Sequence, residues 1–203
     1  MYNMSTSNFT RIAGLGAILA GAYRLIQIIV EFSSNGAGIF DGKAWETLTV
    51  LAATLILILT LALYRQGDGH VNGLIILGIG SALLILSAIL YAVDFDPEDG
   101  AAFMSFFLGT VLQGVGVAVL GNRYRSQVGA TGWGLVLMIL GTILVLAFPV
   151  SAVIFGGQEL SDQLAGIIWV SVIALQAVTW MILGAKVLAG HSETGNIEQG
   201  QTA

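Results

Sequence analysis

The chain has 203 residues, of which 56% are apolar and only 9% are charged, and its mean hydropathy is +0.89. Soluble domains contain roughly 25% charged residues, so this composition excludes a soluble globular domain and predicts an integral membrane protein. Cysteine is absent, which excludes disulfide bonds and thiolate metal sites. The net charge of −5 argues against a nucleic-acid partner.

Six apolar blocks follow one another along the chain. Each is about as long as the roughly 20 residues that an α-helix needs to cross a hydrocarbon core of about 30 Å. The sequence therefore predicts an all-α, polytopic membrane protein built as a bundle of six transmembrane helices. The predicted spans are residues 11–32, 44–64, 71–93, 101–121, 131–155 and 164–187.

Similar segments recur along these helices. The odd-numbered helices align at Gly14, Gly73 and Gly134, with spacings of 59 and 61 residues, and Gln113 of the fourth helix recurs as Gln176 of the sixth. Recurrence at a fixed period indicates internal repeats, so we expect three tandem helical hairpins. The three hairpins cover residues 11–64, 71–121 and 131–187.

The hairpins make up one predicted domain, residues 1–189. Residues 190–203 are polar, and we expect them to form a mobile cytoplasmic tail. The alternative to a repeat is that helices rich in Gly and Leu resemble one another without any common origin.

Basic residues are concentrated on one side of the predicted membrane. Lys and Arg near helix ends stay on the cytoplasmic side, so both termini are expected to be cytoplasmic in a multi-pass protein of the cell membrane. The opposite side has Lys43 as its one basic residue and most of the acidic residues. The basic residues of the cytoplasmic side are Arg11, Arg65, Arg123, Arg125 and Lys186.

Arg24 is the one full charge placed well inside a predicted span, where an ionised group costs at least about 2.5 kcal/mol. Residues three, four and seven apart share one face of a helix, so Arg24, Gln27 and Glu31 form a polar stripe. Glu31 is nearer the outer surface. The stripe therefore predicts that the guanidinium faces polar groups in the bundle and not lipid.

Two glutamines extend this stripe into a candidate site. At a rise of about 1.5 Å per residue, Arg24 lies about 12 Å below the outer surface, and Gln113 and Gln176 lie about 18 Å below it. We therefore predict a polar layer of Arg24, Gln27, Gln113 and Gln176, open to the outside through Glu31, and one hypothesis is that this layer binds a small anion or a lipid headgroup. The preferred interpretation needs no ligand: Arg24 pairs with Glu31, and the two glutamines form hydrogen bonds between helices that hold the bundle together. A third interpretation is that Arg24 extends toward the headgroups without a partner.

The outer loop at 94–100 invites a metal interpretation, because it contains Asp94, Asp96, Glu98 and Asp99. The spacing does not fit an EF-hand, which needs glycine at its sixth position and glutamate at its twelfth. A hydrated turn is the preferred interpretation, and these four carboxylates are only weak candidates for a loosely bound cation. We therefore expect no metal site.

Catalytic chemistry lacks the residues it would need. His70 and His191, the only histidines, lie in a loop and in the tail, and no phosphate-binding or dinucleotide-binding motif is present. We expect no cofactor and no enzymatic activity. The predicted function is a binding protein or an accessory or scaffold subunit of a membrane assembly, with the lipid bilayer, other membrane subunits or a second copy as partners. The alternative is a small solute transporter or facilitator that uses the polar layer around Arg24.

Overall fold

A computed structural model of the chain describes residues 6–33, 42–66, 71–93, 100–126, 131–155 and 162–200. Side chains are described within 8–30, 47–65, 71–93, 100–126, 131–147 and 167–189, apart from that of Trp169. Every element in these ranges is an α-helix. The helices are α1 (Thr6–Ser33), α2 (Gly42–Gln66), α3 (Val71–Ala92), α4 (Ala101–Arg125), α5 (Thr131–Phe155) and α6 (Asp162–Gly200).

The all-α prediction is confirmed, and the helix bounds follow the apolar blocks closely. The helix α5 coincides with the predicted fifth span, while α4 continues past Gly121 to Arg125. The largest difference is in α6, which continues past Val187 to Gly200. The predicted tail therefore starts within a helix, and its mobility stays a prediction.

The surface of the helices is apolar, as lipid requires. Five of the helices are long and apolar enough to cross a membrane, and the described apolar part of α5, Thr131–Ala147, is shorter. Large side chains such as Leu19 (65% exposed) and Ile29 (63% exposed) point away from the bundle on α1. Soluble monomers rarely expose apolar patches of this extent. The structure is a helical membrane bundle.

The helices form a closed ring. Each one packs against the next along the chain, and α6 returns to pack against α1; the contact between α5 and α6 is the smallest of these. The core contains side chains from all six helices, and Trp180 is its largest fully buried side chain. Short side chains line its α1 face, where Ala13, Ala17 and Ala20 are buried.

Glycines bring three pairs of helices into close contact. A Cβ added at Gly80 would lie 2.8 Å from the carbonyl oxygen of Gly109, and one added at Gly114 would lie 2.8 Å from that of Gly141. Such distances leave no room for any side chain, and close backbone approach of this kind holds helices together in lipid. The facing small residues are Gly14 and Gly21 with Gly184 and Ala177 (α1 and α6), Gly73 and Gly80 with Gly116 and Gly109 (α3 and α4), and Gly134 and Gly141 with Gly121 and Gly114 (α4 and α5).

Five of the seven basic residues lie toward one end of the ring, which we call the basic end. They are Arg11, Arg65, Arg123, Arg125 and Lys186. There the Arg65 guanidinium carbon lies 5.9 Å from the centre of the Phe9 ring, and the Lys186 ammonium lies 4.2 Å from the centre of the buried Tyr124 ring. Both distances are within the range of cation–π attraction. Because Gly14 also packs against Gly184, the start of α1, the ends of α2 and α4, and the part of α6 around Lys186 lie at the same end of the bundle.

Candidate functional site

The predicted polar residues form two separate groups inside the bundle. The arginine cluster consists of Arg24 and Gln27 on α1 with Thr49 on α2. The glutamine cluster consists of Ser81 on α3, Gln113 on α4, and Gln176 and Trp180 on α6.

In the arginine cluster, Arg24 faces inward and is only 4% exposed. Its Nη1 donates hydrogen bonds to Gln27 Oε1 at 2.8 Å and to Thr49 Oγ1 at 3.0 Å. Gln27 is one turn further along the same helix, as the stripe predicts. The bond to Thr49 fastens α1 to α2 at this depth, and both acceptors are uncharged.

In the glutamine cluster, Gln113 connects three helices. Its Nε2 donates to Ser81 Oγ at 2.9 Å, and its Oε1 accepts from Gln176 Nε2 at 3.0 Å and from Trp180 Nε1 at 3.1 Å. An indole nitrogen can only donate, so Trp180 fixes which end of the Gln113 amide is the oxygen. Ser81 in turn donates to the carbonyl oxygen of Leu77 at 2.9 Å, and the amide of Gln113 is satisfied at both ends.

Two acceptor atoms beside this network are less well satisfied. Gln176 and Thr110 are both fully buried, and neither Gln176 Oε1 nor Thr110 Oγ1 has a hydrogen-bond partner among the described residues. Thr110 is one turn from Gln113 on α4. The two glutamines occupy matching positions in sequence, yet Gln113 makes three hydrogen bonds and Gln176 makes one.

The two clusters share no hydrogen bond among the described residues. Every hydrogen bond of Gln113 and Gln176 stays within the glutamine cluster, whereas Arg24 is bonded on the α2 side of α1. The predicted single polar layer is thus divided in two. The depth estimate placed these side chains at similar heights, but height carries no information about the direction in which each one points around its helix.

Some of the proposed site lies outside the described part of the chain. Glu31 belongs to α1, but its side chain is outside the described residues, and so are the loop carboxylates Asp94, Asp96, Glu98 and Asp99. Within the ranges described, no group of three or more His, Cys, Asp or Glu side chains could hold a metal ion.

Sequence reasoning missed Thr49, Ser81 and Trp180 as members of the clusters. Threonine and serine in a helix commonly bond to the carbonyl one turn back, as Thr54 and Thr60 do in α2, so nothing in the sequence sets Thr49 apart. Trp180 lies within a predicted span, away from the interfaces where tryptophan is enriched. This position was the one signal in the sequence that its indole N–H needs a polar partner inside the bundle.

Two open grooves on the bundle surface contain no residue of either cluster. One, of about 210 Å³, lies between α2 and α3 and is apolar apart from Thr60 and Tyr64. The other, of about 700 Å³, lies at the basic end of α4 and includes Arg123 and Arg125.

Comparison of the chain with protein-family models, with curated proteins and with solved structures gives no match. The function must therefore be argued from the two clusters and the surface alone.

Proposed function

We propose that this chain is a non-enzymatic membrane protein that acts as an accessory or scaffold component of a membrane assembly. The observation that carries the proposal is the hydrogen bonding of Gln113, whose amide joins α3, α4 and α6 through Ser81, Gln176 and Trp180. Polar groups used in this way act as connections between helices.

Packing around the glutamine cluster supports the same proposal. Trp180 is 1% exposed, and its indole N–H is held by Gln113, so a large rigid side chain is locked within the core. Conduction or alternating access would require this packed core to open. A body held by glycine crossings and a bonded tryptophan is better suited to present a fixed surface to partners.

Reconstitution of the purified protein in liposomes tests the proposal. We expect no protein-dependent uptake of small inorganic anions, sugars or amino acids above that of empty liposomes. Extraction in a mild detergent from cells with the chain at its natural level should retain a stoichiometric membrane partner, compared with an unrelated tagged membrane protein of similar size. Solute uptake by the protein alone would contradict the proposal.

The second candidate is a small-solute facilitator, and the burial of Arg24 favours it. A cation kept in the membrane at a cost of at least about 2.5 kcal/mol is a common feature of anion pathways. Uptake that is present in the wild type and lost in Arg24→Met, with Gln113→Leu as a comparison variant, would establish this candidate in place of the first.

We further propose a multi-pass topology in the cell membrane with the basic end in the cytoplasm and the chain arranged as three repeated hairpins. The close contacts between α4 and α5 recur between α6 and α1. Gly114 and Gly121 of α4 lie 63 residues before Ala177 and Gly184 of α6, and each pair faces two glycines of an odd-numbered helix. This recurrence supports the repeat. Because the chain has no cysteine, single variants Val93→Cys and Ser126→Cys can be labelled specifically. An impermeant maleimide should label Val93→Cys on intact cells and Ser126→Cys only after permeabilisation; the reverse pattern would invert the orientation.

A further inference from the structure

The groove at the basic end of α4 is separate from both polar clusters. It has a volume of about 700 Å³. Its part near the end of α4 is polar, and its part further into the membrane, at Ala118 and Val119, is apolar. The residues that line it are Ala118, Val119, Asn122, Arg123, Arg125 and Ser126. We propose that this groove binds the headgroup of an anionic phospholipid, with the acyl chains lying along the outer face of α4.

Two cationic side chains line the groove. Arg123 and Arg125 are exposed, and neither guanidinium makes a hydrogen bond or ion pair with another described residue. The helices α3, α4 and α5 contain no Asp or Glu, so neither α4 nor the two helices beside it bring a carboxylate to the groove. Asn122 adds a neutral donor beside the two cations, a combination suited to phosphate oxygens.

The helix end itself opposes an anion, but weakly. The C-terminus of a helix carries roughly half a negative charge, against two full positive charges from Arg123 and Arg125. Part of that negative end is also satisfied locally, because Ser126 donates its N–H at 3.1 Å and its Oγ at 2.7 Å to the carbonyl oxygen of Arg123. The two arginine charges therefore outweigh the partial negative charge of the helix end in the groove.

The shape of the groove also suits a lipid, because its apolar part lies on a firmly packed stretch of α4. A Cβ added at Gly141 of α5 would lie 3.0 Å from Ala118 Cα, and one added at Gly73 of α3 would lie 3.0 Å from Val119 Cγ1, so Ala118 packs against α5 and Val119 against α3. Above them, α4 presents the half-buried Val115 and, further on, the half-buried Val111 and Leu112 and the exposed Leu108. From Asn122 to Val111 this apolar strip is about 16 Å long, close to half of a hydrocarbon core of about 30 Å.

Aromatic residues place the polar part of the groove at the membrane boundary. Tyr64, next to Arg65 at the basic end, is 54% exposed, and Trp133, near the start of α5, is 36% exposed. Tyrosine and tryptophan are enriched at the headgroup level of bilayers. A lipid with its phosphate at this level would have its acyl chains beside the apolar strip of α4.

Native mass spectrometry of the purified protein with phosphatidylglycerol and, separately, phosphatidylcholine tests the proposal. We expect the wild type to prefer phosphatidylglycerol and the double variant Arg123→Gln/Arg125→Gln to bind it about 30-fold more weakly. The matched control Arg11→Gln/Arg65→Gln removes two charges from the same end outside the groove, and it should lose only a few-fold. Asn122→Trp keeps both charges and fills the groove, and it should also lose the lipid.

Thermal midpoints without lipid should be unchanged in the two groove variants, because their substituted side chains are exposed, whereas the control double variant loses only the contact of Arg65 with the Phe9 ring. Equal losses of phosphatidylglycerol binding in the two double variants would show only diffuse attraction to the basic end and would overturn the proposed lipid site. Equal binding of the two lipids, competition by millimolar inorganic phosphate as effective as that by phosphatidylglycerol, or unchanged binding in Asn122→Trp would each overturn it as well.

Discussion

The glutamine cluster and the arginine cluster deal with buried polar groups in opposite ways. Gln113 is neutral and makes three hydrogen bonds to three residues on two other helices. Arg24 carries a charge, and its Nη1 donates hydrogen bonds to the uncharged oxygens of Gln27 and Thr49. A satisfied neutral amide costs little in lipid, whereas a cation there remains expensive. The comparison indicates that the glutamine cluster contributes to stability and that the arginine cluster is retained despite its cost.

The largest effect is expected from Gln113→Leu. The change leaves the buried N–H groups of Gln176 and Trp180 without their acceptor, which should lower the free energy of unfolding by about 3 kcal/mol. Titration of the protein in mild detergent with dodecyl sulfate measures it. The control Thr142→Val removes an exposed hydroxyl bonded within its own helix and should change stability by less than about 0.5 kcal/mol. Similar losses in the two variants would contradict the special role of Gln113.

A second, smaller effect is expected from Gly80→Ala, which acts on the glutamine cluster through the backbone. The new Cβ would lie 2.7 Å from Gln113 N and 2.9 Å from Gln113 Cγ, so α3 and α4 must separate, at a cost of about 2 kcal/mol. Gly78→Ala is the control on the same helix, because its Cβ would meet Thr60 Cγ2 at an ordinary 3.6 Å. If the two alanine variants have the same thermal midpoint, the close crossing does not contribute to stability.

In the arginine cluster, removal of an acceptor should cost more than removal of the charge. Gln27→Met leaves the cation buried with one bond fewer and should destabilise by about 1 kcal/mol. Arg24→Met loses the bonds to Gln27 and Thr49 but also removes the buried charge, and these changes should nearly cancel. The same unfolding titration measures both variants. A loss above about 3 kcal/mol for Arg24→Met would make Arg24 a stabilising residue and end the contrast between the clusters.

A small effect is also expected from Gln176→Leu. The variant loses one hydrogen bond and also removes an oxygen that has no partner among the described residues, while Trp180 still donates to Gln113. Stability should change by less than about 0.5 kcal/mol. Measured beside Gln113→Leu, a loss of equal size would show that the two glutamines are energetically equivalent despite their different bonding.

The helices were predictable from the sequence because the length of an apolar run is set by the bilayer. The starts of α3 and α4 at Val71 and Ala101 were predicted to the residue, where polar loops interrupt the apolar runs. The inward direction of Arg24 also followed from its stripe with Gln27, since a lipid-facing cation is so costly.

The division of the polar layer could not be predicted for a physical reason. These helices are apolar on nearly all faces, so hydrophobic periodicity does not identify the face that meets a neighbour. The sequence correctly indicated that Gln113 and Gln176 lie at similar depth, but not that Gln113 turns toward Ser81 and Trp180. Those contacts depend on the angle at which each helix is turned about its own axis. The close contacts at the glycines of several helix pairs together set these angles.

The crossing of α1 with α6 imposes an order on assembly during synthesis. The helices α3, α4 and α5 are consecutive, so their two glycine crossings can form while the ribosome is still translating the rest of the chain. The small residues Gly14 and Gly21 of α1 must wait for Gly184 and Ala177 of α6, which are made after α3, α4 and α5. The helix α1 therefore acquires this partner only after the four helices between them have been made, and a chain that stops before α6 leaves this face of α1 without its partner.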